Sequence, residues 1–233
     1  MITSKDYILI NGVSSDTVGL YIDTPPMPQM QAQKFQQITV PGRAEQITFK
    51  ERVMEDIQVD ISAYLFSDEY SAVPDAIYAY LCNAETLMTS KSSEFYYKVR
   101  RVLNVVPTYK GHGKQFIQLS FICSPFRYSV ENSTISVTSN EFWISNNGTY
   151  YCQPTYRLNG NGTLILEVNE DTENRLIIEN VSGHVIVDAE KLLVHKNNVI
   201  AKSKGQIPFM ALGKNKIKHN ATSIEIVKNE RWI

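Results

Sequence analysis

A mainly β chain in two domains, 1–128 and 129–233, is what the sequence predicts, with one helix near 74–83 and a projecting β-hairpin at 37–50. Three observations carry this. Asn, Ser, Thr and aromatic residues abound while alanine is sparse, which favours sheet over helix. A helical period is convincing in one place only. Past residue 128 short strand-like runs recur about every 8–12 residues between Asn/Gly turns, the pattern of a β-sandwich or barrel. At 233 residues the chain is long enough for two cores.

Tyr7 to Val13 reads as a strand entering a turn at Asn11-Gly12, and Gly19 to Ile22 reads as a second strand. Pro25, Pro26 and Pro28 cannot join a central ladder, so an extended polar run is expected through Gln29 to Gln37. Then come two runs of β-formers, Ile38 to Val40 and Ile47 to Phe49, around a Pro41-Gly42 break with Arg43 and Glu45 at the tip. A two-stranded ribbon has little core of its own and must lie against something. Its own sheet and a neighbouring copy of the chain are both open at this point.

Ile57, Val59 and Ile61 alternate with polar partners in a half-buried strand. Pro74 suits a helix start, and Val73, Ile77, Tyr80 and Leu81 form an apolar stripe to about Asn83. Thr86 to Thr89, Glu94 to Val106 and Gln115 to Cys123 follow as strands, the second long enough for a bulge, with Lys110, His112 and Lys114 at the intervening tip. In the second half the strand candidates are Thr149–Cys152, Pro154–Leu158, Gly162–Val168, Asn174–Glu179, His184–Asp188, Lys191–Lys196 and Ile224–Lys228. Asn159 to Gly162 and Gly213 to Lys216 read as turn clusters.

Composition narrows function. With 23 Lys and Arg against 24 Asp and Glu, the net charge of −1 argues against gripping nucleic acid or an anionic membrane. Cys82, Cys123 and Cys152 are odd in number and far apart, so a disulfide framework is not expected and a reducing folding compartment is. No His or Cys spacing suits a metal, and no phosphate loop, HExxH or Gly-x-Ser-x-Gly is present; no metal, cofactor or catalytic residue is expected. The N-terminus lacks a secretory pattern and no apolar run approaches a membrane span. The sequons at Asn132, Asn147, Asn161, Asn180 and Asn220 read as turns. Two further readings stay open. Trp143, Tyr150, Tyr151 and Tyr156 give a carbohydrate-binding module something to stack on, and the acid pairs Glu167 with Glu170 or Asp188 with Glu190 resemble a hydrolase's only as any protein's acids do.

Taken in order, several pieces resemble one family: Ile10-Asn11-Gly12 with Ser14-Ser15 and Gly19-Leu20, the proline run, Val40-Pro41-Gly42-Arg43, Tyr80-Leu81, Tyr96-Tyr97 and Phe121 to Phe126. In the second half follow Asn147-Gly148-Thr149 with Pro154, Ile186-Val187-Asp188 with Glu190, Gly205 to Pro208, Leu212 to Asn215, and Ile224-Glu225-Ile226 with Arg231-Trp232. The family is the distal tail proteins of bacteriophages with long, flexible, non-contractile tails, and their prophage relatives. At Ala44-Glu45 the chain departs from relatives that often carry a second glycine after Pro-Gly-Arg.

The resemblance implies a homo-oligomeric, hexameric ring at the distal end of a virion tail, made in the bacterial host cytoplasm. It joins the tail tube protein to the tail-tip protein and host-recognition apparatus, a receptor-binding protein included, and DNA transits its channel without specific binding. The first half forms the ring and is β-sandwich-like, the second is a galectin-like β-sandwich, and the arm embraces the next subunit. Interface residues are then Ile38, Val40, Pro41, Gly42, Arg43, Ile47 and Phe49. The chain carries no long insertion for an extra carbohydrate-binding module.

Overall fold

A computed structural model describes residues 6–26, 32–66, 75–109, 113–173 and 175–233. The chain divides into two compact units, residues 1–130 with Ile233, and 131–232. Helix α1 is the one α-helix among the described residues; a short 3-10 turn spans Ser15–Val18, and the other elements are strands.

In the first unit the elements run β1 (Ile8–Ile10), β2 (Val13–Ser14), β3 (Tyr21–Thr24), β4 (Gln33–Ile38), β5 (Ile47–Met54), β6 (Ile57–Phe66), α1 (Asp75–Cys82), β7 (Thr86–Thr89), β8 (Phe95–Tyr109) and β9 (Lys114–Ser129). The alternation in β6 puts Ile57, Val59, Ile61, Ala63 and Leu65 on one buried face. β9 answers with Ile117, Leu119, Phe121 and Cys123, and the two strands pair without a slip from Ile57↔Cys123 to Phe66↔Lys114. The main sheet runs β2-β1-β7-β8-β9-β6-β3. β8 carries the expected irregularities, with register shifts between Tyr97 and Asn104.

Asn11-Gly12 shows how local chemistry positions the helix. Both residues have positive φ, 52° and 79°, as a tight type I′ hairpin turn requires. The Asn11 side chain then accepts from the Glu85 and Thr86 amides at 2.9 and 3.0 Å, and donates to the Asn83 carbonyl at 2.6 Å, tying the turn to the end of α1. Ile77 and Leu81 on α1 are buried in the core. Pro74 and Val73, expected to open this helix, lie outside the described residues, as do Pro28, Gln29, Lys110 and His112.

The second unit is a sandwich. Its strands are β10 (Thr134–Val137), β11 (Glu141–Asn146), β12 (Thr155–Asn159), β13 (Gly162–Val168), β14 (Leu176–Val181), β15 (His184–Asp188), β16 (Leu193–Lys196), β17 (Val199–Ile200), β18 (Ser203–Lys204), β19 (Gly213–His219) and β20 (Ser223–Val227). They form sheets β10-β20-β12-β15-β16-β17 and β11-β19-β13-β14-β18 around Tyr156, Leu158, Leu166, Ile178, Val187, Ile217, Ile224 and Ile226. The asparagines act locally: Asn180 has φ 57°, Asn161 accepts from Gly183 N at 2.8 Å, and Asn220 accepts from Ile165 N at 2.7 Å.

Two expectations for this unit fail. Thr149–Cys152 is not a strand; it makes only isolated bridges, Tyr150↔Arg231 and Cys152↔Met210. The supposed turn Gly213 to Lys216 opens β19, because Lys214, Lys216 and Lys218 alternate with Asn215, Ile217 and His219, which are buried. Asn215 enters the interior only because the Ala211 amide and the Asn169 side chain both donate to its Oδ1, at 2.8 and 2.9 Å, while its Nδ2 donates to the Ala211 and Gly213 carbonyls.

Burial pushes the thiols of Cys123 and Cys152 up to about 12, whereas Cys82 is exposed. A thiol-reactive chromophore at neutral pH is therefore expected to label one cysteine of the native protein quickly and all three after denaturation. Labelling of two or three at the fast rate contradicts the packing.

Candidate subunit-contact arm

Val40 to Arg43 makes the turn that the Pro-Gly pair dictates. Pro41 suits the second position, Gly42 has φ 84° at the third, and the Arg43 amide donates to the Val40 carbonyl at 3.1 Å. Ala44-Glu45 follows without a second glycine. Gln46 Nε2 donates to Thr39 Oγ1 at 3.2 Å across the loop.

Below the loop, β4 and β5 form a separate two-stranded sheet and pair only with each other among the described residues. The ribbon reaches from Gln33 to Met54, beyond the expected 37–50. Its lower part mixes Gln33, Lys34 and Glu51 with exposed Phe35 and Val53, so it lacks the alternation that marks a half-buried strand. Backbone pairing, with a bulge between Gln33 and Phe35, extends it nonetheless. The polar contacts stay within the arm: Gln33 Nε2 donates to the Glu51 carbonyl at 2.9 Å, and Lys34 meets Glu51 at 3.7 Å.

Register decides which side chains share a face. The pairs Ile38↔Ile47 and Gln36↔Phe49 project from one side, and Gln37↔Thr48 and Phe35↔Lys50 from the other. Ile38, Ile47 and Phe49, which the family resemblance implies as contact residues, therefore lie together. Ile38 is 47% and Phe49 53% exposed, Val40 beyond the strand end is exposed, and Ile47 is half-buried. An apolar stripe this exposed on a ribbon with no core beneath it is an unusual use of surface.

The alternative sites are dispersed. Tyr156 is fully buried, and Tyr150 and Tyr151 pack at 4.5 Å between ring centres with the Arg231 guanidinium over both. Trp143 is 63% exposed on β11. Asp188 holds the Glu190 and Lys191 amides at 3.0 Å each, an ordinary turn cap. Glu167 is buried on β13, while Glu170 sits in the following turn on Lys216. No group of three or more His, Cys, Asp and Glu that could hold a metal occurs among the described residues, and no described helix is long and apolar enough to cross a membrane.

The fold defines a class: mostly β, two units, one α-helix among the described residues, and a two-stranded ribbon paired separately from the main sheet. That architecture matches the crystal structure of the SPP1 Dit protein (gp 19.1), described as a paradigm of the hub adsorption apparatus in phages that infect Gram-positive bacteria. The TM-score is 0.75 with 14% sequence identity, over 98% of this chain and 99% of that one, so what is shared is the fold. No protein-family model and no curated protein sequence matches this chain.

Proposed function

We propose that this chain is a structural subunit of a phage tail tip, a distal tail protein whose copies close into a ring of six. The ring sits at the distal end of the virion tail, joining the tail tube protein to the tail-tip and receptor-binding proteins, and DNA passes through it without being held. Residues 1–128 make the ring and the arm grips the next subunit; residues 129–233 face outward. The protein is made in the host cytoplasm and is not an enzyme.

The observation that carries this reading is the ribbon. Its apolar stripe exposes Ile38 and Phe49 beside a half-buried Ile47, its polar contacts are internal, and the fold likeness to a tail hub protein spans the chain from end to end. A surface that needs covering, repeated identically on every copy, suits a head-to-tail contact that closes on itself. Net charge near neutrality favours passage of DNA over its capture. Negative-stain images of the purified protein test the reading. Closed rings with a central hole are expected, and isolated single particles at micromolar concentration count against it.

A further inference from the structure

We infer that the outer face of the five-stranded sheet, centred on Trp143, binds a neutral saccharide. This goes beyond the ring reading and does not depend on it. Trp143 stands opposite Lys216 in the β11–β19 register, flanked by Glu141 opposite Lys218 and Ser145 opposite Lys214. Phe142 and Ile144 take the inward positions, so the indole is presented outward and left 63% exposed. Among the four aromatics in this unit that sequence singles out, it alone offers an open ring.

The surroundings decide the ligand class. Lys216 Nζ lies 5.9 Å from the indole centroid and is held by Glu141 at 2.7 Å and Glu170 at 2.8 Å, with Lys218 at 3.8 Å from both acids. With Lys214 and Glu167 on the same face, three lysines stand against three acids and formally cancel, which favours a neutral ligand over a phosphate or a uronic acid. The mutual pairing fixes these groups before any ligand arrives, and the ion pair with Lys216 keeps both acids charged, below their ordinary range. The C–H face of a pyranose supplies the apolar surface an indole wants, and its hydroxyls suit ammonium and carboxylate alike.

Two features mark this corner as built. Glu170 holds φ 60° directly after Asn169 at φ 58°, a left-handed pair without glycine, kept in place because Asn169 exchanges backbone and side-chain bonds with Lys216 at 2.8 and 3.0 Å. That strained turn is what delivers the Glu170 carboxylate to Lys216. On the same face Glu167, opposite Lys218 and only 9% exposed, has a buried Oε1 with no hydrogen-bond partner among the described residues. A protein partner is a poorer fit, since a tryptophan hot spot is ordinarily ringed by groups that exclude water and this one is ringed by charges.

The test uses the full chain. An array of neutral and anionic oligosaccharides is probed first, and neutral hits are titrated as free sugars by calorimetry with wild type, Trp143→Ala and Trp143→Tyr. Binding to at least one neutral glycan is expected, weakened about tenfold or more by Trp143→Ala and partly kept by Trp143→Tyr. The proposal is overturned if no neutral glycan binds, if only anionic glycans bind, or if Trp143→Ala binds as wild type does. It is also overturned if Trp143→Ala changes the mass in solution, because the indole is then covered by another copy. Failure to form rings leaves the sugar titration unaffected, so the two readings fall separately.

Discussion

Replacing Ile38 and Phe49 together by aspartate is expected to convert the assembled protein to monomers, read as mass by light scattering behind a sizing column. Each side chain is half exposed in the single chain and is available to be buried by a neighbour. Full burial of an isoleucine and a phenylalanine contributes about 1.5–3 kcal/mol apiece. Because about half of each is already buried, covering the rest contributes roughly 1.5–3 kcal/mol per interface for the pair, or about one to two orders of magnitude in Kd. Two carboxylates forced into the same contact add a desolvation cost on top. Because the ribbon has two distinguishable faces, a control is available on the other: Gln37→Lys with Thr48→Lys should leave the mass unchanged. If the aspartate pair assembles like wild type, the arm is not the contact.

The second large effect concerns the first unit's core. Phe121 is fully buried at the centre of β9, opposite Val59 on β6 and Val102 on β8. Phe121→Ala removes most of a ring from a packed interior and should cost about 3–5 kcal/mol. In a unit of this size that lowers the melting temperature by on the order of ten degrees or more. Differential scanning calorimetry of a two-unit chain should resolve the change in one transition. The matching substitution in the sandwich, Ile226→Ala, should lower the other. A single transition shifted equally by both variants contradicts the division into separately packed units.

The arm's turn was legible because Pro41 and Gly42 restrict the backbone locally, whatever surrounds them. Its length was not, since Gln33-Lys34-Phe35 carries no one-sided pattern and is held by backbone pairing and by polar contacts to Glu51 across the ribbon. In the sandwich, Gly162–Val168 and His184–Asp188 were readable residue for residue. Leu193–Lys196 was readable to within two residues at one end. By contrast, Gly213 and Asn215 are turn-forming residues set between lysines, and β19 forms there because partners at Asn169 and Ala211 make a buried asparagine tolerable. Those partners are remote or sit in a loop with no regular pattern, so propensity pointed the wrong way.

The candidate surfaces divide in the same manner. Which residues on the arm were apolar was evident from composition, and that Ile38, Ile47 and Phe49 share one side came from cross-strand register. Trp143, Tyr150, Tyr151 and Tyr156 looked alike until packing put one in the core, two against Arg231 and one in solvent. Taken alone, the sequence determined what short-range sterics and side-chain period dictate: the strands with a clear period, such as β6, β13 and β15, the Asn11-Gly12 and Pro41-Gly42 turns, and the helix around Ile77 and Leu81. For the arm and the sandwich aromatics only the tertiary structure decided facing and exposure, because there each depends on partners brought together from distant parts of the chain and no local alternation encodes them.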